Sequence, residues 1–454
     1  MTLQVREFAT LTLANVESPS VDNVCISKAF FEWLIEIDRP DQPGVKLVRL
    51  LSRNTIKLSS YVGYLQAPNG EGIEVLPKTQ HVLPDNPYRL RRVLKKMVKA
   101  SLKIKYKETL EANLLYENQP LHEWIFSEFL QELNSIVQRG LRFDYQTVEN
   151  ETTFVRGQLI MSRQMRQTPD KATHFHVRFA EYTPDRLENR LLKTALNYVL
   201  KQTRNNQNWR IANSLSHQLF NIKPISNPLL KIPLWSDGKL LKSYSKVKPW
   251  CLLILKQLNP NFQKGKHRGI SLLFPMEQLF EQYLSAHIST LLKNDFRLST
   301  QASSCYLTTH IPESSNQMQR LFQLKPDYLV RNNHKSFVLD AKWKLLDTRQ
   351  NESEENKKYG ISQSDLYQLF AYGHKYLNSK GDLMLIYPKH EYFNKPLPVF
   401  SFDEQLSLWC VPFDLENDEL MDGDWLSKFD CFTGNQRPLL RAKIDNEGGN
   451  TWTE

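Results

Sequence analysis

Three charged residues in an otherwise apolar part of the chain, Asp327, Asp340 and Lys342, could together support hydrolysis of a phosphodiester. Carboxylate oxygens bind Mg²⁺, which keeps several waters and stabilises charge on a scissile phosphate. A neighbouring ammonium can orient or deprotonate the attacking water. Charges among apolar residues are costly unless something binds them, so the three residues indicate a metal-dependent nuclease centre. The alternative is a solvated Asp and Lys on an exposed face, because the pattern D…D-x-K is short and common.

A β-hairpin is predicted to bring the three residues together. The apolar runs Tyr328–Val330 and Phe337–Leu339 flank a polar segment, which is typical of two strands joined by a tight turn. With Asn333-His334 as the turn, the two aspartates fall directly opposite each other. Residues two apart on one strand share a face, so the lysine is expected beside them.

Two helices are predicted to flank this hairpin. The upstream sequence Phe274–Leu284 has apolar residues at helical spacing, and its acidic residues Glu277 and Glu281 are four apart. In the downstream helix Gln368 and Tyr372 are also four apart, and an apolar strand follows. Helix, hairpin, helix and strand is the element order of the PD-(D/E)xK nuclease core.

Three motifs of this region carry a family resemblance: Pro326-Asp327, Asp340-Ala341-Lys342 and Gln368-Leu-Phe-Ala-Tyr372. Together they resemble the McrC family, the nuclease subunit of McrBC modification-dependent restriction systems of the 5-methylcytosine type. The resemblance covers most of the chain, because similar stretches occur in the N-terminal half at Tyr61–Gln66, Ile73–Lys78, Arg139–Tyr145 and Phe154–Leu159.

The resemblance implies a role for each motif residue. Asp327 and Asp340 would be metal ligands for one or two Mg²⁺ ions, and Lys342 would be the catalytic lysine. Glu281 is the preferred helical carboxylate of the site, with Glu277 as the second choice.

The resemblance also implies supporting residues and partners. Gln368, Tyr372 and Lys344 would support the site or contact DNA. The partners would be double-stranded DNA and a McrB-type AAA+ GTPase hexamer, which the N-terminal part would contact and stimulate. The chain has no G-x-x-x-x-G-K-[ST] motif, so GTP is expected on the partner and not on this chain.

Three functions fit these observations. The first is the endonuclease subunit of a GTP-dependent restriction complex that cleaves methylated DNA. The second is a non-cutting subunit that activates a motor, which the intact Asp, Asp and Lys set disfavours. The third is a stand-alone PD-(D/E)xK repair nuclease, which is disfavoured by the long N-terminal half without a recognisable DNA-reading module.

The amino-acid composition limits which classes of protein the chain can belong to. With 454 residues, 41% hydrophobic and 24% charged, the chain is long enough for two or three globular domains. The net charge of +10 suits a polyanionic partner but is a weak signal alone. Five cysteines without a C-x-x-C pair argue against a disulfide or zinc scaffold. Without a signal-like segment or an apolar run of membrane-spanning length, a cytoplasmic location with no membrane partner is expected.

The predicted fold class is α+β with several domains. Residues 1–85 are expected to form a β-rich, partner-contacting module, and residues 86–249 a mainly helical region. Residues 250–445 are expected to form an α/β PD-(D/E)xK nuclease domain, followed by a flexible tail at 446–454.

Helix boundaries are predicted in the middle region. Helices are expected from Pro87, capped by Asn86, from Leu121 to Arg139, from Thr183 through Leu200, and from Trp250 to Leu258. Arg156-Gly157 is expected at a turn or where another backbone approaches closely. A mobile polar loop is expected at 346–359, beside the active site.

The helix from Pro87 is basic in sequence, with no acidic residue among its charges. It could bind phosphates or an acidic partner surface, and a solvated helix face is the alternative. The basic residues are Arg89, Arg91, Arg92, Lys95, Lys96, Lys99, Lys103, Lys105 and Lys107.

Overall fold

The computed structural model describes residues 2–14, 20–38, 46–80, 86–104, 119–256, 270–312, 317–351 and 358–433. The fold is mixed α+β, as predicted. The chain divides into two compact units, Met1–Lys78 with Pro84–Met276, and Thr79–Leu83 with Glu277–Glu454. The finer predicted division at residues 85 and 249 stays a prediction. The predicted tail and the centre of the 346–359 loop lie outside the described residues.

The first unit combines three sheets with helices. Its described helices are α1 Lys28–Ile37, α2 Pro87–Ser101, α3 Leu121–Arg139, α4 Met161–Gln164, α5 Leu187–Gln202, α6 Asn206–Gln218, α7 Pro228–Lys231 and α8 Val247–Lys256. Its strands are β1 Thr2–Arg6, β2 Thr10–Thr12, β3 Asn23–Cys25, β4 Val48–Ser52, β5 Thr55–Leu58, β6 Tyr61–Gln66, β7 Gly72–Leu76, β8 Asp144–Thr152, β9 Gln158–Leu159, β10 Phe175–Thr183 and β11 Ile270–Pro275.

The N-terminal sheets share one apolar core. Their strand orders are β1-β7-β6-β11 and β3-β2-β5-β4. The predicted β6–β7 hairpin is confirmed, with Leu65 opposite Ile73. Helix α1, capped by Ser27, buries Phe30 and Leu34 in the same core as Val75. Because β11 pairs with β6, residues 270–275 complete a sheet of the N-terminal module.

The helical region follows the predicted boundaries with two corrections. Helix α8 begins at Val247, three residues before the predicted start at Trp250. Helix α3 ends at Gly140, whose φ of +91° suits a residue without a side chain. Helix α5 begins at Leu187 and not near Thr183, which is the last residue of β10. A residue before proline is biased towards extended backbone, so Thr183-Pro184 keeps the strand conformation.

A three-stranded sheet, ordered β8-β10-β9, lies within the region predicted to be mainly helical. The predicted close approach at Gly157 is confirmed, because a Cβ there would lie 2.4 Å from the carbonyl oxygen of Arg178. The φ of Gly157 is +70°, so glycine is favoured on two independent grounds.

The basic helix α2 is solvated in part, because Arg89 and Arg92 are exposed, and Lys105 and Lys107 lie outside the described residues. Arg91, Lys95 and Lys96 are each at most 6% exposed. Arg91 donates to the fully buried Glu74, with the shortest contact at 2.5 Å. Lys95 lies over the ring of Trp124, 5.6 Å from its centroid. A buried charge is costly unless it is paired, and Glu74 supplies that pairing for Arg91.

The second unit is built around one larger sheet. Its strands are β12 Arg297–Thr300, β13 Cys305–His310, β14 Gln319–Leu324, β15 Tyr328–Arg331, β16 Ser336–Ala341, β17 Gly381–Pro388, β18 Phe400–Ser401, β19 Leu406–Asp414 and β20 Glu419–Leu420. The sheet runs β12-β15-β16-β17-β19-β18, with β20 beside β19, and β13 pairs with β14 in a separate two-stranded sheet. The helices are α9 Met276–Leu291 and α10 Gln363–Tyr376. In the part of the chain described, no helix is long and apolar enough to cross a membrane.

Candidate active site

The predicted hairpin positions the acidic pair as expected. Strands β15 and β16 pair antiparallel, with Tyr328 opposite Leu339, so the register places Asp327 opposite Asp340. The turn closes because the Asn332 amide donates to the Lys335 carbonyl at 2.9 Å. One carboxylate oxygen of Asp327 accepts a hydrogen bond of 2.8 Å from the backbone of Ala341. This bond fixes Asp327 across the hairpin.

Asp340 is a buried charge in the interior of the sheet. Strand β16 lies between β15 and the parallel strand β17, so the apolar residues Phe337–Leu339 are buried and Asp340 is 1% exposed. Its Oδ2 forms an ion pair of 2.8 Å with Lys342 Nζ. Lys342, two residues later, therefore lies beside Asp340 as predicted.

Helix α10 supplies partners to Lys342. The Nζ of Lys342 donates to Oε1 of Gln368 at 3.2 Å and lies 3.9 Å from a carboxylate oxygen of Asp365. The Gln368 amide donates to the Tyr372 hydroxyl at 2.6 Å, and that hydroxyl donates to the Lys325 carbonyl at 3.0 Å. The predicted supporting pair therefore contacts the lysine and the chain just before the hairpin.

Helix α9 supplies a third carboxylate. The Tyr328 hydroxyl donates to the backbone carbonyl of Glu281 at 2.5 Å, which ties the helix to the hairpin. The Gln301 amide nitrogen donates to Glu281 Oε1 at 2.7 Å and to Asp327 Oδ1 at 3.1 Å. Glu281 is thus joined to Asp327 through one side chain.

The remaining candidates lie apart from this cluster. Glu277 and Lys344 are both exposed, and the hydrogen bonds and ion pairs of the cluster do not involve their side chains. The structure therefore favours Glu281 over Glu277 as the helical carboxylate. Gln301 and Asp365 were not predicted. The position of Asp365, three residues before Gln368 on one helix, could have indicated it, whereas Gln301 belongs to no motif.

Burial and mutual repulsion make the carboxylates unusual acids. Burial, and then the charge of Asp340, raise the pKa of Asp327 to about 8. Burial also raises the pKa of Asp340, although Lys342 opposes this shift. The pKa of Glu281 is raised by burial despite its hydrogen bond from Gln301. Burial alone would lower the pKa of Lys342, but the carboxylates of Asp340 and Asp365 raise it overall.

The donor set fits a divalent cation. The carboxylates of Asp327, Asp340 and Glu281 repel one another, and Lys342 places an ammonium in an ion pair with Asp340. No preformed group of three His, Cys, Asp or Glu ligands occurs among the described residues. Mg²⁺ usually takes one or two carboxylates and completes its shell with waters and substrate phosphates. Asp327 and Asp340 match that requirement.

Comparison with known proteins identifies the family. The family model of the McrBC 5-methylcytosine restriction system component matches residues 56–388, which include every residue of the cluster. No curated protein sequence matches the chain.

One solved structure with a related fold is the refined half-complex from the tetradecameric assembly of Thermococcus gammatolerans McrB AAA+ hexamers with bound McrC. Its matching chain is 20% identical with a TM-score of 0.63, and the alignment covers 91% of this chain and 95% of that chain. A chain of the cryo-EM structure of the Thermococcus gammatolerans McrBC complex is 21% identical, with 64% and 87% coverage and a TM-score of 0.47. The family model covers most of the sequence, as the motifs indicated, and this chain belongs to the McrBC 5-methylcytosine restriction system component family.

Proposed function

We propose that this chain is a McrC-type endonuclease subunit, which cleaves methylated DNA by Mg²⁺-dependent hydrolysis within an McrBC-like restriction complex. The observation that carries the proposal is the partly buried cluster of Asp327, Asp340 and Glu281 around Lys342 in a member of this restriction family. A structural role alone gives no reason to keep three carboxylates in repulsive contact.

The topology of the second unit supports a PD-(D/E)xK nuclease fold. Helix α9, the β15–β16 hairpin, helix α10 and strand β17 follow in the order expected for that fold. Strand β17 runs parallel to β16, with Leu385 beside Asp340. The acidic residues then lie at the hairpin and on the preceding helix, where this fold class would place its site.

The residues divide the chemistry between them. Bound Mg²⁺ would stabilise the charge that develops on the scissile phosphate. Asp327 and Asp340 would hold the ion, with one or two ions possible in the site. Lys342 keeps its proton because nearby carboxylates raise its pKa, so it is suited to orient water and stabilise negative charge. Glu281 would accept a hydrogen bond from a water of the metal shell.

The partner is proposed to be a McrB-type AAA+ GTPase hexamer, which would bind GTP and be stimulated by this chain. The related assembly contains McrB AAA+ hexamers with bound McrC. The sheets of residues 1–85 expose Leu50 and Leu51, at 60% and 52%, as candidate contacts. Double-stranded DNA is the expected substrate, which suits the charge of +10, and the complex would be cytoplasmic.

Reconstitution tests the proposal against both alternatives. The protein is incubated with methylated plasmid and Mg²⁺, alone or with the neighbouring-gene GTPase and GTP, and an unmethylated plasmid is the control. We expect cleavage of the methylated plasmid only in the complete mixture, together with a raised GTPase rate.

Other outcomes identify the other functions. Cleavage by the protein alone would establish a stand-alone nuclease. A raised GTPase rate without cleavage, on plasmids methylated at several different sequence contexts, would establish a non-cutting activator.

A further inference from the structure

Gln301 occupies a defined place beside the acidic pair. It follows β12, and the pairing of Thr300 with Tyr328 places it directly opposite Asp327. Since Asp327 lies opposite Asp340, the three residues form one row across three neighbouring strands. The Gln301 backbone amide donates to the Asp327 carbonyl at 3.0 Å. This bond extends the hydrogen-bond ladder between β12 and β15 by one residue.

The side chain of Gln301 links two carboxylates that come from different elements. A primary amide carries two N–H donors on one nitrogen. The nitrogen of Gln301 lies 2.7 Å from an oxygen of Glu281 and 3.1 Å from Oδ1 of Asp327. The other oxygen of Asp327 is held by the Ala341 backbone, so both of its oxygens have a fixed direction.

We propose that Gln301 is a positioning residue, which sets the separation of Glu281 and Asp327 so that Asp327 can bind a divalent cation and Glu281 can accept a hydrogen bond from a water of its shell. This inference rests on the proposed nuclease function. It adds to that function a residue outside the D…D-x-K motif. The Gln301 amide would affect metal binding through Glu281 and Asp327, and not by direct contact with substrate.

An amide has the right chemistry for this task. It donates hydrogen bonds to carboxylate oxygens and carries no charge itself, so it does not offset the negative charge that a bound metal needs. An ammonium or guanidinium in the same place would compete with the cation for the carboxylates. Outer residues that orient metal ligands in this way contribute strongly to metal affinity.

The backbone of Gln301 indicates that its place is enforced by its surroundings. Its φ is +49°, in the left-handed region that residues with a side chain rarely adopt. Such a conformation persists when neighbouring contacts determine it, and it recurs at functional sites. Here the contacts are the ladder bond to Asp327 and the two carboxylate bonds.

Gln301 is also exposed, so its replacement should not disrupt the core. Gln301→Ala removes the amide, and alanine must still adopt the same positive φ, so the two residues differ at this position only in the side chain. Gln301→Lys places a cation between the carboxylates. Gln323→Ala is the matched control, because this exposed glutamine of β14 donates to the Ser303 carbonyl at 2.8 Å and touches none of the carboxylates.

The test measures metal binding and stability separately on the full-length protein. Mg²⁺ is titrated into each variant by isothermal calorimetry, and each variant is melted without metal. We expect Gln301→Ala to weaken Mg²⁺ binding about tenfold, and raised Mg²⁺ to restore its cleavage rate in the reconstituted complex. Gln301→Lys should weaken binding further and raise the metal-free melting temperature. Gln323→Ala should bind Mg²⁺ like the wild type.

The three possible failures are distinct. If the wild type binds Mg²⁺ and Gln301→Ala binds it equally well, the positioning role is wrong while the proposed function stands. If Gln301→Lys lowers metal affinity and melting temperature together, Gln301 is merely structural. If the wild type binds no Mg²⁺, both the inference and the proposed metal site fail.

Discussion

Replacing Asp340 by Asn is expected to abolish DNA cleavage in the reconstituted complex while GTPase stimulation is retained. The substitution keeps the shape of the side chain but removes the charge proposed to hold Mg²⁺. Metal ions contribute several kcal/mol to transition-state stabilisation, so the cleavage rate should fall by about a thousandfold or more. Single-turnover cleavage of methylated plasmid and the partner's GTPase rate measure the two activities on one sample.

A matched variant shows whether the effect belongs to the site. Glu277→Gln removes an exposed carboxylate from helix α9 and should leave cleavage unchanged. A melting curve of Asp340→Asn without metal checks folding, and we expect no large loss because burial already penalises the charged form of Asp340. Cleavage that survives in Asp340→Asn, with GTPase stimulation intact, would place the chemistry elsewhere.

Replacing Lys342 by Met is expected to remove catalysis without removing the metal. Methionine is similar in length and carries no charge, so it cannot orient water or stabilise developing negative charge. Loss of such a group typically costs about 10²- to 10⁴-fold in rate. Mg²⁺ affinity should be unchanged or higher, because the ammonium that pairs with Asp340 at 2.8 Å no longer competes. Calorimetry with Mg²⁺ and single-turnover cleavage test the two statements independently.

Lys344→Met provides the control for charge. Lys344 is exposed and lies two residues beyond Lys342, so its loss removes the same charge outside the cluster. We expect at most a change in DNA affinity, with an unchanged rate for bound DNA. Equal rate losses in both variants would show that general positive charge, and not the position of Lys342, supports cleavage.

The local parts of the site could be predicted from sequence because short-range rules determine them. Apolar runs around a polar turn fix the β15–β16 register, and the register places Asp327 opposite Asp340. Helical spacing likewise places Gln368 beside Tyr372. Helix α3 was bounded correctly because Gly140 ends it.

Other features depend on contacts between distant residues, which periodicity does not report. Gln301 reaches the site only because β12 pairs with β15. This pairing joins distant parts of the chain, and no sequence motif predicts it. The buried charge of Arg91 depends on Glu74, a strand residue of the N-terminal module. The β8–β10 sheet was missed because its strands are mostly exposed and lack the apolar alternation that identifies a strand. Among the described residues of β8 and β10, only Val177 is fully buried.

The metal site can be tested most directly by locating a bound cation by anomalous diffraction from crystals of the protein grown with Mn²⁺ in place of Mg²⁺. We expect a peak about 2 Å from carboxylate oxygens of both Asp327 and Asp340, and its loss in Asp340→Asn. A well-ordered peak elsewhere, or none at this cluster at saturating Mn²⁺, would contradict the assignment of the cluster as a metal-dependent nuclease centre.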